Sequence, residues 1–287
     1  MSEVSCVVDC QALLGEGPLW DAGRGRLYWF DIQNKTLFWW RPGNSEHGRW
    51  SLPLRGSAAA LREDGSLLLA TEGGVGVLDI ETGGFEVRAM ADEPEANRSN
   101  DGGTDRQGRF WWGTMRDGAV ADAGSVYRLD PDWTIRRMIQ PITIPNALAF
   151  SPDGATAYVA ESDKGLIWAY AVDPASGELG ERSLFARVTD GAPDGAAVDA
   201  EGYLWNAQWG AWRVVRYAPD GTIDRIVEVP VEQPSSCAFG GPDLKTLYIT
   251  SAREDLSEVA LANQPLAGGL FALEVDVAGL PVLPFAG

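Results

Sequence analysis

Along the whole chain, short runs of aromatic and aliphatic residues alternate with turns rich in Gly, Asp, Asn and Pro, with no helical apolar period in between. Leu27-Tyr28-Trp29-Phe30, Phe110-Trp111-Trp112, Tyr203-Leu204-Trp205 and Leu247-Tyr248-Ile249 have the composition of buried strands. Each follows a tight turn: Gly23 to Gly25, Gly108, Glu201-Gly202 and Gly241 to Asp243. About ten residues before each such strand, one polar residue recurs in the same slot. The slot holds Glu16, Ser57, Asn100, Asn146, Asp194 and Ser236, spaced 41, 43, 46, 48 and 42 residues apart. Repeats of that length containing several strands each predict propeller blades. The expected fold class is all-β, a six-bladed β-propeller with a central metal site, residues 1–287 forming one domain. The strand Val4 to Val8 is expected to complete the last blade, so that neither chain end leaves an open sheet edge.

Composition narrows the chemistry. The 34 glycines, 17 prolines and 12 tryptophans suit many short strands joined by tight turns. A net charge of −18 opposes nucleic-acid binding, which needs clustered Lys and Arg. No apolar run approaches membrane-spanning length, and no basic segment followed by an apolar run marks a signal peptide. Three cysteines, Cys6, Cys10 and Cys237, are odd in number and lack metal-finger spacing, which favours reduced thiols and a cytoplasmic location; a Cys6 to Cys10 bridge is the less favoured alternative. The single histidine, His47, sits in a polar turn, so a Ser-His-Asp triad would have to recruit it and a zinc site of several histidines is excluded. Chemistry must then run on carboxylates, amides, Arg, Lys or an oxygen-bound metal.

In a propeller the first strand of each blade lines the central channel, so the recurring slot brings its six polar residues toward one axis. Glu16 and Asp194 with the amides of Asn100 and Asn146 make an oxygen donor set suited to Ca²⁺, Mg²⁺ or Mn²⁺, with Zn²⁺ a less natural occupant. Ser57 and Ser236 read as small fillers of a narrow channel. Arg98, two residues before Asn100, is placed at the channel rim, where a guanidinium suits substrate hydroxyls or an anionic product. The Trp111-Trp112 pair and the Trp209 to Trp212 cluster favour packing between blades over stacking on a sugar.

Leu14-Gly15-Glu16-Gly17-Pro18 with Trp20, Arg98-Ser99-Asn100-Asp101-Gly102 with Gly113-Thr114-Met115, Asn146 with Phe150 to Gly154, and Pro193-Asp194-Gly195 resemble the regucalcin (senescence marker protein)/gluconolactonase family. Phe239 to Asp243 and Tyr248 to Arg253 extend the resemblance over nearly the whole chain. It implies a six-bladed propeller that binds one divalent metal and hydrolyses sugar lactones. By motif position, Glu16, Asn146 and Asp194 would be metal ligands, and Arg98 and Asn100 substrate contacts. The family's further acidic contact would fall in the loop holding Asp117 and Asp122, with Asp117 the candidate.

The expected reaction is metal-assisted opening of an aldonolactone such as glucono-, xylono-, arabino- or galactonolactone, the cation polarising the carbonyl and Asp194, or a hydroxide on the cation, activating water. Segment 118–124 is a candidate lid. The rivals are a metal-dependent phosphotriesterase on the same scaffold and a non-enzymatic calcium-binding propeller. The expected partner is a small sugar lactone, with no nucleic acid or membrane, and the chain a monomer or weak homo-oligomer.

Overall fold

The structure, a computed structural model, describes residues 3–287. Among these, 24 strands form six four-stranded antiparallel sheets, each built of sequence neighbours except where the first strand, Ser5–Val8, pairs with Leu270–Glu274. The leading strands are Gly15–Asp21, Gly56–Leu61, Asn97–Thr104, Pro145–Phe150, Ala192–Val198 and Pro234–Gly240. Each leading strand touches the leading strands of the blades before and after it, the sixth touching the first. The chain is an all-β six-bladed propeller.

Period-2 alternation in a strand buried on both faces explains where the apolar residues go. Six core clusters form, one at each seam between adjacent blades. The seam between blades 6 and 1 holds Trp20, Trp29, Trp40 and Tyr248, and it closes the ring. Trp111 and Trp112 are buried in two such seams, and the Trp111 indole donates to Asp105 Oδ2 at 3.0 Å. With the cores between blades, the axis is left to small and polar side chains.

All six leading strands slip register near their start, at Glu16/Leu19, Gly56/Ala58, Ser99/Gly102, Asn146/Ala149, Pro193/Ala196 and Pro234/Ser236. The polar slot residue of every blade lies at or inside this bulge. A bulge re-aims a side chain that regular pleating would send into a seam. Close approach explains the glycines around Glu16: a Cβ on Gly15 would collide with the Ser251 carbonyl, and one on Gly17 (φ +55°) with that of Ser57.

The far end of the channel is covered by the last residues of the chain. Ala278 O accepts from Ala200, Gly279 N donates to Leu244 O, Pro281 O accepts from Arg106, and Phe285 N donates to Leu61 O. This strap therefore ties blades 2, 3, 5 and 6 together. Phe285 is its anchor, fully buried in the seam between blades 2 and 3 and edge-on to Trp133 at 5.5 Å. Phe285→Ala is expected to cost about 3–4 kcal/mol, read as a lowered urea midpoint, through lost burial and the cavity left behind. A change below about 1 kcal/mol would show the strap to be dispensable.

Candidate active site

At the opposite end of the channel lies a cavity of about 180 Å³ whose lining includes Glu16, Arg98, Asn100, Asn146, Asp194 and Glu254. Five of the six were singled out from sequence, and the fold brings them into one cavity. Glu16 and Asp194 are only 5% and 6% exposed. Each carboxylate accepts the N–H of the following glycine, Gly17 or Gly195, and among the described residues neither makes a salt bridge. Ser57 and Ser236 are buried in the same ring, as small fillers would be.

A hydrogen-bonded chain orients the amides. Asn100 Nδ2 donates to Asn146 Oδ1 at 2.9 Å and to Pro145 O at 3.1 Å, while Asn100 Oδ1 accepts from Arg98 Nη1 at 2.7 Å. Asn146 Nδ2 donates to Ser162 Oγ at 2.9 Å, so its carbonyl oxygen is the end turned toward Asn100. That oxygen keeps a second lone pair. Arg98, placed by sequence at the rim, is in fact buried, its Nε donating to Asp117 Oδ1 at 2.9 Å.

Electrostatically the cavity disfavours negative charge. Burial above all, then the nearby Asp101, pushes the Glu16 carboxyl up to about 8. Burial, Glu16 and Asp101 together raise Asp194 well above the carboxylate range. Asp101 itself is pushed up to about 6 by burial, although it accepts from Gly102 N and Leu148 N, both at 2.8 Å. Sequence reasoning overlooked Asp101 and Glu254. Asp101 carries a legible signal, an acid followed by glycine like Glu16-Gly17 and Asp194-Gly195; it pins the third leading strand to the fourth. Glu254 follows the Ser251-Ala252-Arg253 stretch and lines the cavity mouth, its Oε1 accepting from Gln33 Nε2 at 2.6 Å.

These residues fit a hard divalent cation. Among the described residues no three His, Cys, Asp or Glu side chains group as a metal site. The donor set is instead two buried, unpaired carboxylates and an amide oxygen, all hard ligands. A cation would supply the charge that the cavity lacks. Cation-free protein should show the cost. Glu16 holds its proton up to about pH 8 when folded, against an ordinary value of 4.5. The stability from this group is thus present below about pH 4.5 and lost as the pH rises toward 8. Chelated protein should lose several degrees of thermal midpoint between about pH 5 and 8, and a divalent cation should flatten the slope. A midpoint that rises across that window would contradict the assignment.

The other residues singled out from sequence settle into structural places. His47, read from sequence as part of a polar turn, is instead exposed in the outer strand Glu46–Ser51, because it pairs with Trp40 just beyond the turn; its Nδ1 lies 3.2 Å from Ser45 O. The three cysteines are free. Trp209 lines the cavity, whereas Trp212 is exposed. Segment 118–124, read as a lid, is tied down: Asp122 N donates to Thr143 Oγ1 at 3.1 Å and Asn97 Nδ2 donates to Ala123 O at 2.6 Å. No helix among the described residues is long and apolar enough to cross a membrane.

Residues 14–253 match the model of the SMP-30/Gluconolactonase/LRE-like region. The chain is 40% identical over 294 residues to an L-arabinolactonase of Azospirillum brasilense, covering 99% of this chain and 96% of that one. It is 38% identical over 290 residues to a 6-deoxy-6-sulfogluconolactonase of Pseudomonas putida, covering 99% of both. Among solved structures, a calcium-binding protein, regucalcin, of Agrobacterium tumefaciens has a TM-score of 0.95 at 34% identity, over 99% of this chain and 98% of that one.

Proposed function

The chain belongs to the SMP-30/gluconolactonase/LRE-like family and is a lactone hydrolase, and from that premise we propose that it opens an aldonolactone to the sugar acid with one divalent cation held by Glu16, Asn146 and Asp194. The observation that carries the proposal is the pair of buried carboxylates, Glu16 and Asp194, facing one small cavity without a salt-bridge partner among the described residues. When bound, a cation there polarises the lactone carbonyl and stabilises the charge that develops on its oxygen.

The side chains divide the remaining work. Asp194, buried at the cavity wall, takes the proton of the attacking water. Water adds to the carbonyl carbon, the ring C–O bond breaks, and the proton passes to the ring oxygen, leaving a hydroxy acid. Arg98 and Asn100, locked to one another, bind substrate hydroxyls, and Asp117 adds an acceptor at the mouth. Three unpaired cysteines suit a reducing compartment, so the proposal places the enzyme in the cytoplasm.

The lactonases of Azospirillum brasilense and Pseudomonas putida favour a lactone over a phosphotriester as the substrate here. A pH-stat panel of aldonolactones and an organophosphate triester, run with added Ca²⁺, Mg²⁺, Mn²⁺ or Zn²⁺, separates the two. Acid release from at least one lactone and none from the triester is expected; no release from any lactone would overturn the proposal.

A further inference from the structure

Above the cavity, one carboxylate is shared by two arginines from different blades. Asp117, in the loop after the strand Phe110–Arg116, accepts from Arg98 Nε at 2.9 Å through Oδ1 and from Arg55 Nη1 at 2.6 Å through Oδ2. Arg55 comes from the loop entering blade 2 and was not singled out from sequence. It is fixed independently of Asp117: its Nε donates to Glu72 Oε2 at 2.8 Å and its backbone N–H to Glu72 Oε1 at 3.1 Å. Arg98 is fixed by Asn100. The guanidiniums are thus held by the scaffold, with side chains 18% and 6% exposed, while the Asp117 side chain between them is 50% exposed.

Two fixed guanidiniums converging on one carboxylate form a cradle for an anion. We infer that Arg55 and Arg98 are the two halves of an anion site that Asp117 fills from within, and that this internal carboxylate selects for lactones uncharged at the end pointing out of the channel. The inference rests on the lactonase proposal and adds Arg55 as a specificity-determining residue. The reacting carbonyl belongs beside Glu16, Asn146 and Asp194, so the opposite end of the lactone rises toward the Arg98–Asp117–Arg55 bridge. A terminal carboxylate there would meet Asp117, and the two positive charges that could hold it are already offset, Arg98 and Arg55 sharing Asp117 and Arg55 also pairing with Glu72, which Lys35 approaches as well. A hydroxyl meets no such repulsion and can donate to Asp117. Removing the Asp117 charge should convert the bridge into a site for an acidic lactone.

The test compares kcat/KM for D-gluconolactone with kcat/KM for the related lactone ending in a carboxylate. It uses full-length wild type, Asp117→Ala, Asp117→Asn and Asp117→Ala/Arg55→Ala, all cation-loaded and checked for an unchanged thermal midpoint. The acidic-to-neutral ratio is expected to rise about tenfold or more in both single variants, mainly through a lower KM for the acidic lactone, and to fall back when Arg55 is also removed. A ratio indistinguishable from wild type in both single variants, or a rise that survives loss of Arg55, would overturn the inference. A wild type that opens neither lactone fails the lactonase proposal and this inference with it; an active wild type with an unmoved ratio fails this inference alone.

Discussion

Replacing Asp194 by Asn is expected to lower kcat/KM by about three orders of magnitude while raising the thermal midpoint of the cation-free protein. The two effects have one origin. Asp194 is buried beside Glu16 and Asp101, so its charge is unfavourable unless a cation is present. Asparagine keeps the shape and an oxygen but removes the charge, which relieves the cation-free fold, weakens a cation ligand and abolishes the group that takes the proton from water. Loss of activity with an unchanged or lower cation-free midpoint would mean that the site is not electrostatically strained. Retained turnover would remove Asp194 from its assigned role.

Glu16→Gln is expected to weaken cation affinity on the order of a hundredfold and to reduce activity in parallel at subsaturating cation. Excess cation should then recover much of the rate, because Glu16 is assigned to the cation alone and takes no proton in the reaction. Calorimetric titration and the cation dependence of the rate check this together. Failure of excess cation to restore turnover would give Glu16 a further chemical part. The propeller itself should persist, since among the described residues the Glu16 carboxylate accepts one hydrogen bond, from the adjacent Gly17 N–H.

Much of this was legible in the chain because the fold is periodic. A polar residue recurring in one slot identified the six leading strands, and the same slot named Glu16, Asn100, Asn146 and Asp194, which the structure gathers into one cavity. The bulges that aim these side chains were not legible as such, since a register slip depends on what the neighbouring strand offers. Arg98 was placed at the rim because its burial is produced by Asp117 and Asn100 together, partners that sequence spacing alone does not connect. Arg55 and Glu254 lie in loops outside the repeated slot, and Asp101 stands one residue after it. The strap had no signal either: Leu280 to Phe285 resembles an ordinary apolar tail, and only the closed ring shows that it crosses the far end of the channel.

The central claim is that Glu16, Asn146 and Asp194 hold a divalent cation required for lactone opening. It is tested most directly by following acid release from an aldonolactone with exhaustively chelated protein while one divalent cation is titrated back at fixed pH. The rate should begin at the uncatalysed background and saturate at one cation per chain. A full rate in the chelated protein, before any cation is added, would contradict it.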